Sequence, residues 1–469
     1  MIPAGARVHF VGIGGAGMSA IASVLIARGY AVSGSDLRES EITRRLRAAG
    51  ARIQIGHAPE HVEPGQVVVI SRAVPEANVE VQMARRSGVQ VLHRAEMLGS
   101  LMEGMRSIAI VGTHGKTTTT SMIARVLERA GRDPTVLIGG EVDDFGGNAR
   151  AGHGEDLVAE VDESDGSLLR VAPQIAVVTN IDATDHLDYY GSIEQVLETF
   201  GRFLNRLPAD GLAVVCADAA AGGTLVAGLR GSGGARAVTY GLAPESDYAG
   251  RILEMAGFRT AFEVRRGRDL LGTVTLSVPG EYNVQNALGA LAVGLELGVP
   301  FASAADSLMT FRSVQRRFTV RGEVGGVLVV DDYAHNPTKV RALLQATRRC
   351  WPQSRIIAVF QPHRYSRTQT VGPQFADAFD PAHEVIVTEL YAADEPSVPG
   401  IDAGIIVRAV RARRPVQYIA EAAQVVASLA ERVGPGDLVL TIGAGDVWKI
   451  GDGLLASLRA RAAGVQEHG

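Results

Sequence analysis

The chain has 469 residues, so at roughly 150 residues per domain it is expected to contain about three domains. Hydrophobic residues make up 46% of the chain, charged residues 21%, and the formal net charge is -5; these values exclude a disordered or polybasic protein and give no electrostatic reason to expect a nucleic-acid partner. The two cysteines, Cys216 and Cys350, form no C-x-x-C pair, so neither a disulfide framework nor a structural zinc site is expected.

The apolar stretch near the start of the sequence does not predict a membrane segment or a signal sequence. Four glycines interrupt residues 8–27, and no basic cluster precedes them. No run of apolar residues reaches the length of about 18 that a membrane span needs. We therefore expect neither secretion nor membrane insertion, and the cysteine usage fits a reducing cytoplasm.

Three α/β units follow one another along the chain. Residues 7–103 alternate short apolar runs with helical patterns, a second alternation starts with SIAIVG after Met105, and a third starts near Val327 with VLVVDDY. Strands that alternate with helices favour βαβ units and mostly parallel sheets. The predicted fold is α/β with three tandem domains, 1–104, 105–315 and 316–469. The outer two are Rossmann-like and the central one carries the phosphate loop described next.

The segment GTHGKTTTT, residues 112–120, lies directly after a predicted strand and opens a predicted helix. Backbone N–H groups and the dipole at such a helix start favour a polyphosphate, Lys116 is placed to reach its β and γ phosphates, and the Thr117 hydroxyl is placed to reach a magnesium ion. Lys116 is also one of only three lysines among 46 basic residues. The loop is shorter than the usual G-x-x-x-x-G-K-[ST], and a chance Gly-Lys-Thr turn is the alternative.

A second glycine motif follows the first predicted strand. Gly12, Gly14 and Gly17 form G-x-G-x-x-G, and Asp36 lies at about the twenty-residue spacing of a dinucleotide site. The motif favours a diphosphate at a helix N-terminus. Glycines alone do not distinguish NAD from another nucleotide, and a tight turn without a ligand has the same pattern.

Carboxylates follow two predicted strands of the central unit. The segments are AEVDESD, with Glu160, and TNIDATDHLDYYG, with His186. Because ligands of open α/β sheets lie at the carboxyl ends of the strands, Glu160 and His186 are candidates to hold magnesium beside the phosphates. Helix and turn capping is the alternative role for such residues.

Two dense polar clusters close strands of the last unit, DDYAHNP at residues 331–337 and QPHRYSRT at residues 361–368. Their arginines suit bidentate contacts with carboxylates or phosphates. A solvated loop is the alternative.

Taken together, these motifs resemble the Mur ligases of peptidoglycan synthesis, and among them the enzymes that add L-alanine. The resemblance runs essentially end to end, in the family's order, through these segments: HFVGIGGAGMSAIA, SGSDLRES, HRAEML, GTHGKTTTT, AEVDESDGSLL, TNIDATDHLDYY, NVQNALGA, RRF, DDYAHNPT, FQPHRYSRT and GAGD. It implies an ATP-dependent ligase that joins L-alanine to the lactyl carboxylate of UDP-N-acetylmuramate through an acyl phosphate, with Mg²⁺ as cofactor and ADP and phosphate as products.

The resemblance also implies roles for individual residues. The UDP-sugar contacts in the first domain would be Gly12, Gly14, Gly15, Gly17, Ser35, Asp36 and Ser71. The ATP contacts would be Gly112, Thr113, His114, Gly115, Lys116, Thr117, Thr118, Asn283, Asn286, Arg317 and Asp332, with Thr117, Glu160 and His186 serving the metal. Tyr333, His335, Arg364 and Arg367 would surround L-alanine, and the catalytic set would be Lys116, Glu160, His186 and His335.

Some positions depart from the family pattern. Asn336 and Lys339 stand where the family usually has a histidine and a glutamate, and Asp394 stands where glycine is common. No lysine lies between Lys116 and Lys339, so the carbamylated lysine of several relatives is excluded from the central domain.

Two other interpretations are kept open. The first is a ligase of the same superfamily that recycles a tripeptide onto the same UDP-sugar; folylpolyglutamate-type ligases lack the whole first domain. The second is an NAD-dependent dehydrogenase or nucleotide sensor built on VGIGGAG, which would have no use for Lys116.

Overall fold

A computed structural model describes residues 3, 5–142, 147–182, 187–218, 220–231, 234–312, 314–393 and 395–466. The chain divides into two compact units. The first unit comprises Met1–Arg251, Phe262–Thr275 and Asn283–Phe311. The second comprises Ile252–Ala261, Leu276–Tyr282 and Arg312–Gly469.

The first sheet is parallel and has the strand order β3-β2-β1-β4-β5. Its strands are β1 (Arg7–Val11), β2 (Ala31–Asp36), β3 (Arg52–Ile55), β4 (Gln66–Ile70) and β5 (Gln90–His93). The helices between them are α1 (Ala16–Ala27), α2 (Glu41–Ala48), α3 (Val79–Arg86) and α4 (Arg94–Met102). The order reverses between β1 and β4, the point at which such sheets bind ligands.

Local sequence signals explain where these helices begin. The Ser40 hydroxyl accepts a hydrogen bond from the Thr43 N–H at 3.2 Å and caps α2. A second capping box starts α4, where the Glu96 carboxylate accepts from the His93 N–H at 2.6 Å. Helix α1 instead has Gly15 as its N-cap, so no side-chain hydrogen bond caps this helix.

The second sheet has ten strands in the order β15-β14-β13-β12-β11-β10-β6-β9-β7-β8. The strands are β6 (Arg106–Val111), β7 (Thr135–Val142), β8 (Gly147–Arg150), β9 (Asp156–Glu160), β10 (Ile175–Val178), β11 (Leu212–Cys216), β12 (Arg236–Gly241), β13 (Tyr248–Ala256), β14 (Arg259–Arg266) and β15 (Asp269–Leu276). The helices are α5 (Lys116–Arg129), α6 (Leu187–Tyr190), α7 (Ile193–Leu204), α8 (Ala220–Gly231), α9 (Glu281–Glu296) and α10 (Phe301–Met309). Strand β6, which leads into the phosphate loop, lies between β10 and β9 and is parallel to both.

The third sheet has the order β16-β17-β21-β18-β19-β20 and is parallel except for the β16–β17 pair. The strands are β16 (Thr319–Val324), β17 (Val327–Asp332), β18 (Arg355–Phe360), β19 (Glu384–Val387), β20 (Gln417–Tyr418) and β21 (Asp437–Ile442). The helices are α11 (Pro337–Cys350), α12 (Tyr365–Val371), α13 (Gly404–Arg411), α14 (Ala422–Arg432) and α15 (Trp448–Gln466).

Both faces of the third sheet are buried. Along β18, Ile356 and Phe360 belong to one apolar cluster, whereas Ile357 and Val359 belong to another. Neighbouring residues of a strand point to opposite faces, so helices cover the sheet on both sides, as expected for a parallel sheet.

The second unit has its own aromatic cluster outside the sheet. Phe318 stacks on Trp351 with ring centroids 5.4 Å apart, and Phe258 packs edge-on against Trp351 at 5.0 Å. Phe258 belongs to the Ile252–Ala261 segment, which explains why a piece of chain from before residue 312 clusters with this unit.

The three mostly parallel sheets confirm the predicted α/β class, while the boundaries 1–104, 105–315 and 316–469 stay predictions. Across the part of the chain that the structure describes, no helix is both long and apolar enough to cross a membrane.

Candidate nucleotide and ligase site

The phosphate loop connects β6 to α5 through two glycines with left-handed backbone angles. Gly112 has a φ of 128° and Gly115, the N-cap of α5, has a φ of 80°. A Cβ at Gly112 would collide with the Thr179 hydroxyl, and one at Gly115 would collide with the side-chain oxygen of Asn286. Only glycine therefore fits at these two positions.

The segment after β10 holds the loop in shape. The Asn180 side chain accepts from the His114 N–H and donates to the His114 carbonyl, both at 2.9 Å. The Thr179 hydroxyl donates to the same carbonyl at 2.6 Å. The sequence placed TNIDATD near the phosphates but assigned no role to Thr179 or Asn180, which act here on the loop itself.

Lys116 is enclosed by oxygen atoms. Its Nζ donates to the Gly112 carbonyl at 2.6 Å and to the Glu163 carboxylate at 2.9 Å. Burial alone would lower the pKa of Lys116, but the carboxylates of Glu163 and Glu160 outweigh burial and raise the pKa. The ammonium group is therefore charged, as binding of a polyphosphate requires.

Glu160 lies beside the first turn of α5. Its carboxylate accepts from the Thr117 hydroxyl at 3.2 Å and from the Gly139 N–H at 2.8 Å. The structure thus brings together two of the three predicted metal ligands. The third, His186, lies outside the described residues. Within the described part of the chain, no group of three or more His, Cys, Asp or Glu side chains is arranged to hold a metal.

The predicted adenine contacts lie against the same loop. Asn283 and Asn286 are buried on α9, and the Asn286 amide donates to the Asn283 side chain at 3.3 Å. The Asn286 oxygen accepts from the Thr119 hydroxyl at 3.1 Å. Asn286 therefore supports the start of α5, a contact that spacing in the sequence does not show.

The glycine turn after β1 is stabilised from β2. The Asp36 carboxylate accepts from the Gly14 N–H at 2.8 Å, and the Ser35 carbonyl accepts from the Gly12 and Ile13 N–H groups at 2.8 and 3.0 Å. Asp36 thus bonds to the turn itself. Ser71 directly follows β4, the strand that pairs with β1, and lines a cavity of about 720 Å³ together with Arg72 and His93.

The Ser35 side chain is fully buried in a polar network centred on Glu80. The Glu80 carboxylate accepts from the Ser35 hydroxyl at 2.6 Å and lies 2.7 Å from His61 Nδ1 and 3.2 Å from His9 Nε2. Burial would raise the pKa of Glu80, but hydrogen bonds from His9, Ser35 and His61 lower it to about 2. Sequence reasoning missed Glu80, which lies on a helix far from the glycine motif.

Within the second unit, the predicted phosphate and ribose contacts cluster at the end of β17. The Asp332 carboxylate accepts from the Phe318 N–H at 2.8 Å and from the Ala334 N–H at 2.7 Å, and burial raises its pKa despite Arg317. The Arg317 guanidinium lies over the Tyr333 ring, 5.2 Å from its centroid.

The predicted L-alanine contacts partly converge on His335. Its Nδ1 lies 2.9 Å from the Tyr333 carbonyl, which assigns the proton to Nδ1. Burial, with the cations of Lys339 and Arg367, holds the pKa of His335 well below its ordinary value, so the ring is neutral. Arg364 is half-exposed, and its φ of 70° is unusual for a residue other than glycine.

The sequence motifs did not predict a role for one histidine of this cluster, His363. The His363 ring stacks on Tyr391 at 5.7 Å, lies 6.1 Å from the His335 ring, and accepts from Arg367 at 3.0 Å. Its pKa is lowered to about 4 by burial and by Arg367. The motif QPHRYSRT contained this signal, because His363 immediately precedes Arg364.

Asn336, one of the family departures, has a structural role. Its side-chain oxygen accepts from the Lys339 N–H at 2.8 Å and caps α11, with Pro337 as the next residue. Asp394, another departure, lies outside the described residues.

The fold and this site define a three-sheet α/β protein with a phosphate-binding loop. Three family models match the chain: Mur ligase family, catalytic domain, at residues 7–106; Mur ligase middle domain at 110–294; and Mur ligase, glutamate ligase domain, at 316–445. The chain belongs to the Mur ligase family. Its predicted family, three-domain α/β architecture and ATP-dependent ligase activity in peptidoglycan synthesis are confirmed.

Two curated relatives are UDP-N-acetylmuramate--L-alanine ligases. The one from Geobacter sp. strain M21 is 46% identical over 97% of this chain and 98% of its own length. The one from Trichlorobacter lovleyi is 48% identical over 96% and 99%.

Solved structures agree with this assignment. The UDP-N-acetylmuramate-alanine ligase of Thermotoga maritima matches with a TM-score of 0.81 and 29% identity, over 97% of this chain and 99% of that chain. A murein peptide ligase from Psychrobacter arcticus matches over the same shares with a TM-score of 0.69 and 23% identity, which shows a shared fold.

Proposed function

We propose that the chain joins L-alanine to the lactyl carboxylate of UDP-N-acetylmuramate, with ATP as the energy source. The observation that carries the proposal is the shared cavity of about 310 Å³ in the first unit, which is lined by Gly17 of the glycine turn and by Lys116 and Glu160 of the phosphate-loop region. A nucleotide sugar on the glycine turn and ATP on the loop would both face this cavity. The names of the two curated relatives support the same substrates.

The first chemical step follows from the charge distribution around Lys116. A lactyl carboxylate oxygen attacks the γ phosphorus, the bond to the β-phosphate oxygen breaks, and ADP leaves with that electron pair. Lys116, charged and held by Gly112 and Glu163, offsets negative charge on the transferring group. Most of the catalysis is therefore positioning and electrostatics, and no protein nucleophile is needed.

The second step forms the amide bond. The neutral L-alanine amine attacks the acyl carbon and loses one proton to solvent. The tetrahedral intermediate then collapses: the bond between the acyl carbon and the phosphate oxygen breaks, and phosphate leaves with that electron pair. Tyr333, His335, Arg364 and Arg367 are proposed to bind the amino acid. The neutral ring of His335 keeps its proton on Nδ1, so its Nε2 can accept a hydrogen bond from the amine.

Magnesium is the proposed cofactor. The Thr117 hydroxyl and the Glu160 carboxylate, 3.2 Å apart beside the loop, are the hard oxygen ligands that Mg²⁺ prefers, and a site that uses few protein ligands leaves room for phosphate oxygens and water. Thr117 and Glu160 would hold the ion, with His186 added by the family resemblance. When bound, the ion neutralises phosphate charge.

We also propose the cytoplasm as the site of action, since both described cysteines are free thiols.

Phosphate release tests the proposal directly. Purified protein, ATP, magnesium and UDP-N-acetylmuramate are mixed in parallel with L-alanine, glycine, L-serine or the tripeptide used by recycling ligases. We expect release with L-alanine at the highest kcat/KM. Release with the tripeptide and none with L-alanine would replace this proposal with the recycling activity, and a titration that shows NAD binding without ligation would replace it with a dehydrogenase or sensor.

A further inference from the structure

Arg94, from the motif HRAEML, has no role in the mechanism above, although it begins α4 at the edge of the shared cavity. The cavity walls come from α1, α4, the phosphate loop, β7 and β9. Arg94 and Gly17 line it from the first sheet's side, and Lys116, Glu160 and Asp162 line it from the second sheet's side.

The position of the guanidinium is set by Asp162. Arg94 Nη2 donates to Asp162 Oδ2 at 2.7 Å, and the other oxygen of Asp162 accepts from the Ser164 N–H at 3.0 Å. The short N–O distance makes Arg94 and Asp162 an ion pair. The Arg94 side chain is 22% exposed, which leaves part of it open to the cavity.

The same guanidinium lies against the glycine turn. Arg94 Nη1 is 3.0 Å from the point where a Cβ on Gly17 would lie. Any larger residue at position 17 would push Arg94 away. A guanidinium has five N–H donors in a planar fork that suits phosphate oxygens, and the bond to Asp162 uses one of them.

We propose that Arg94 is a substrate-binding residue that donates to an oxygen of the UDP-sugar diphosphate, with Asp162 as the positioning residue that aims its guanidinium. This inference rests on the proposed function, because that function places the diphosphate on the glycine turn. The contact with Gly17 favours the diphosphate over the lactyl carboxylate, the other anionic group of the substrate, because the carboxylate must reach the ATP phosphates held by Lys116.

Ligand binding without ATP tests this role separately from catalysis. Uridine, UDP, UDP-N-acetylglucosamine and UDP-N-acetylmuramate are titrated into the wild-type protein and into Arg94→Ala and Arg94→Lys. Because the proposed hydrogen bond joins charged groups, we predict that Arg94→Ala weakens the binding of UDP, UDP-N-acetylglucosamine and UDP-N-acetylmuramate by roughly 10- to 100-fold. The affinity for uridine, which has no phosphate, should not change. Arg94→Lys keeps the charge but loses the planar fork of donors, so its affinity for the diphosphates is expected to lie between those of the wild type and Arg94→Ala.

The ion pair between Arg7 and Glu63 is the control. Its N–O distance is 2.8 Å, Arg7 lies at the start of β1, the strand end opposite the glycine turn, and neither residue lines the two cavities described above. Arg7→Ala is expected to bind all four ligands like the wild type. Melting temperatures of both variants show whether Arg94→Ala remains folded.

The outcomes separate clearly. Equal affinities of Arg94→Ala and the wild type for UDP would overturn the inference and make the Arg94–Asp162 pair a structural bridge. A loss confined to UDP-N-acetylmuramate would also overturn it and assign Arg94 to the lactyl carboxylate. If the wild type binds none of the uridine ligands, the proposed function itself fails. If the wild type and Arg94→Ala both bind them equally well, only the role of Arg94 fails.

Discussion

At the scale of single residues, Lys116 of the phosphate loop forms an ion pair with Glu163 that is largely removed from solvent. The Glu163 side chain is only 2% exposed and that of Lys116 15%, so neither charge is well solvated and each depends on the other. Removing one partner of a buried pair leaves an uncompensated charge, whereas removing both costs much less. Stability and catalysis can therefore be separated by mutation.

We predict that Lys116→Ala lowers kcat by roughly 100- to 1,000-fold, the usual cost of losing one electrostatic contact to a transition state, with little change in affinity for UDP-N-acetylmuramate. Phosphate release and direct titration measure the two quantities. Lys449→Ala is the control, since Lys449 is an exposed lysine in the second unit. Full ligase activity in Lys116→Ala would refute the role given to this residue.

A double variant tests the ion pair itself. Lys116→Ala should lower the free energy of unfolding by about 3 kcal/mol, because Glu163 is left buried and charged. Adding Glu163→Gln should restore much of this stability but none of the activity. Denaturant unfolding gives the free energies, and additive losses in the double variant would show that the two side chains do not interact.

At the scale of secondary-structure elements, caps determine where helices begin beside the proposed sites. Asn336 caps α11 immediately after Tyr333 and His335, so its hydrogen bond to the Lys339 N–H also fixes the end of the DDYAHNP loop. We predict that Asn336→Ala destabilises the second unit by about 1 kcal/mol and that Asn336→Ser retains most of the stability. Denaturant unfolding followed by the fluorescence of Trp351 and Trp448, both in the second unit, measures both variants. Identical curves for Asn336→Ala and the wild type would contradict the prediction.

The Glu80 network joins four elements of the first sheet's layer, because Ser35 is on β2, His9 on β1, His61 in the β3–β4 connection and Glu80 on α3. The folded-state pKa of Glu80, about 2, lies below the ordinary value of 4.5. A depressed carboxyl pKa stabilises the folded protein above the unfolded-state pKa, and this stabilisation is lost as the pH falls from about 4.5 towards 2.

We therefore predict that Glu80→Gln is less stable than the wild type at neutral pH by about 1–3 kcal/mol and that the difference shrinks as the pH falls below 4.5. Glu60→Gln, at an exposed position, is the control and should follow the wild type at every pH. A difference between Glu80→Gln and the wild type that stays constant from pH 7 to pH 3 would show that the charge of Glu80 makes no contribution.

At the scale of the whole molecule, ligand binding should stabilise the two units differently. The glycine turn, the shared cavity and the phosphate loop all belong to the first unit. A ligand at 100 times its Kd stabilises the state that binds it by about 2.7 kcal/mol. We predict that UDP-N-acetylmuramate alone slows hydrogen exchange at β1, α1 and α4, while β18 and β21 of the second unit exchange as before. Slowing confined to the second unit would place the sugar nucleotide elsewhere.

The sequence by itself determined the α/β class, the phosphate loop and the glycine turn, because each depends on neighbouring residues. A strand, two glycines, Lys116 and Thr117 are contiguous, so backbone geometry and phosphate chemistry can be read together. Asn336 was recognised as a departure from the family for the same reason, although its capping role appeared only in the structure.

Only the tertiary structure decided which side chains pair across the sheets. Lys116 and Glu163 are 47 residues apart in sequence, Arg94 and Asp162 are 68 apart, and His9 and Glu80 are 71 apart. Each pair meets because strand order brings distant segments to adjacent strands or to facing walls of one cavity, and buried charges then require partners. Such pairings depend on packing over the whole first unit, so local patterns along the chain do not predict them.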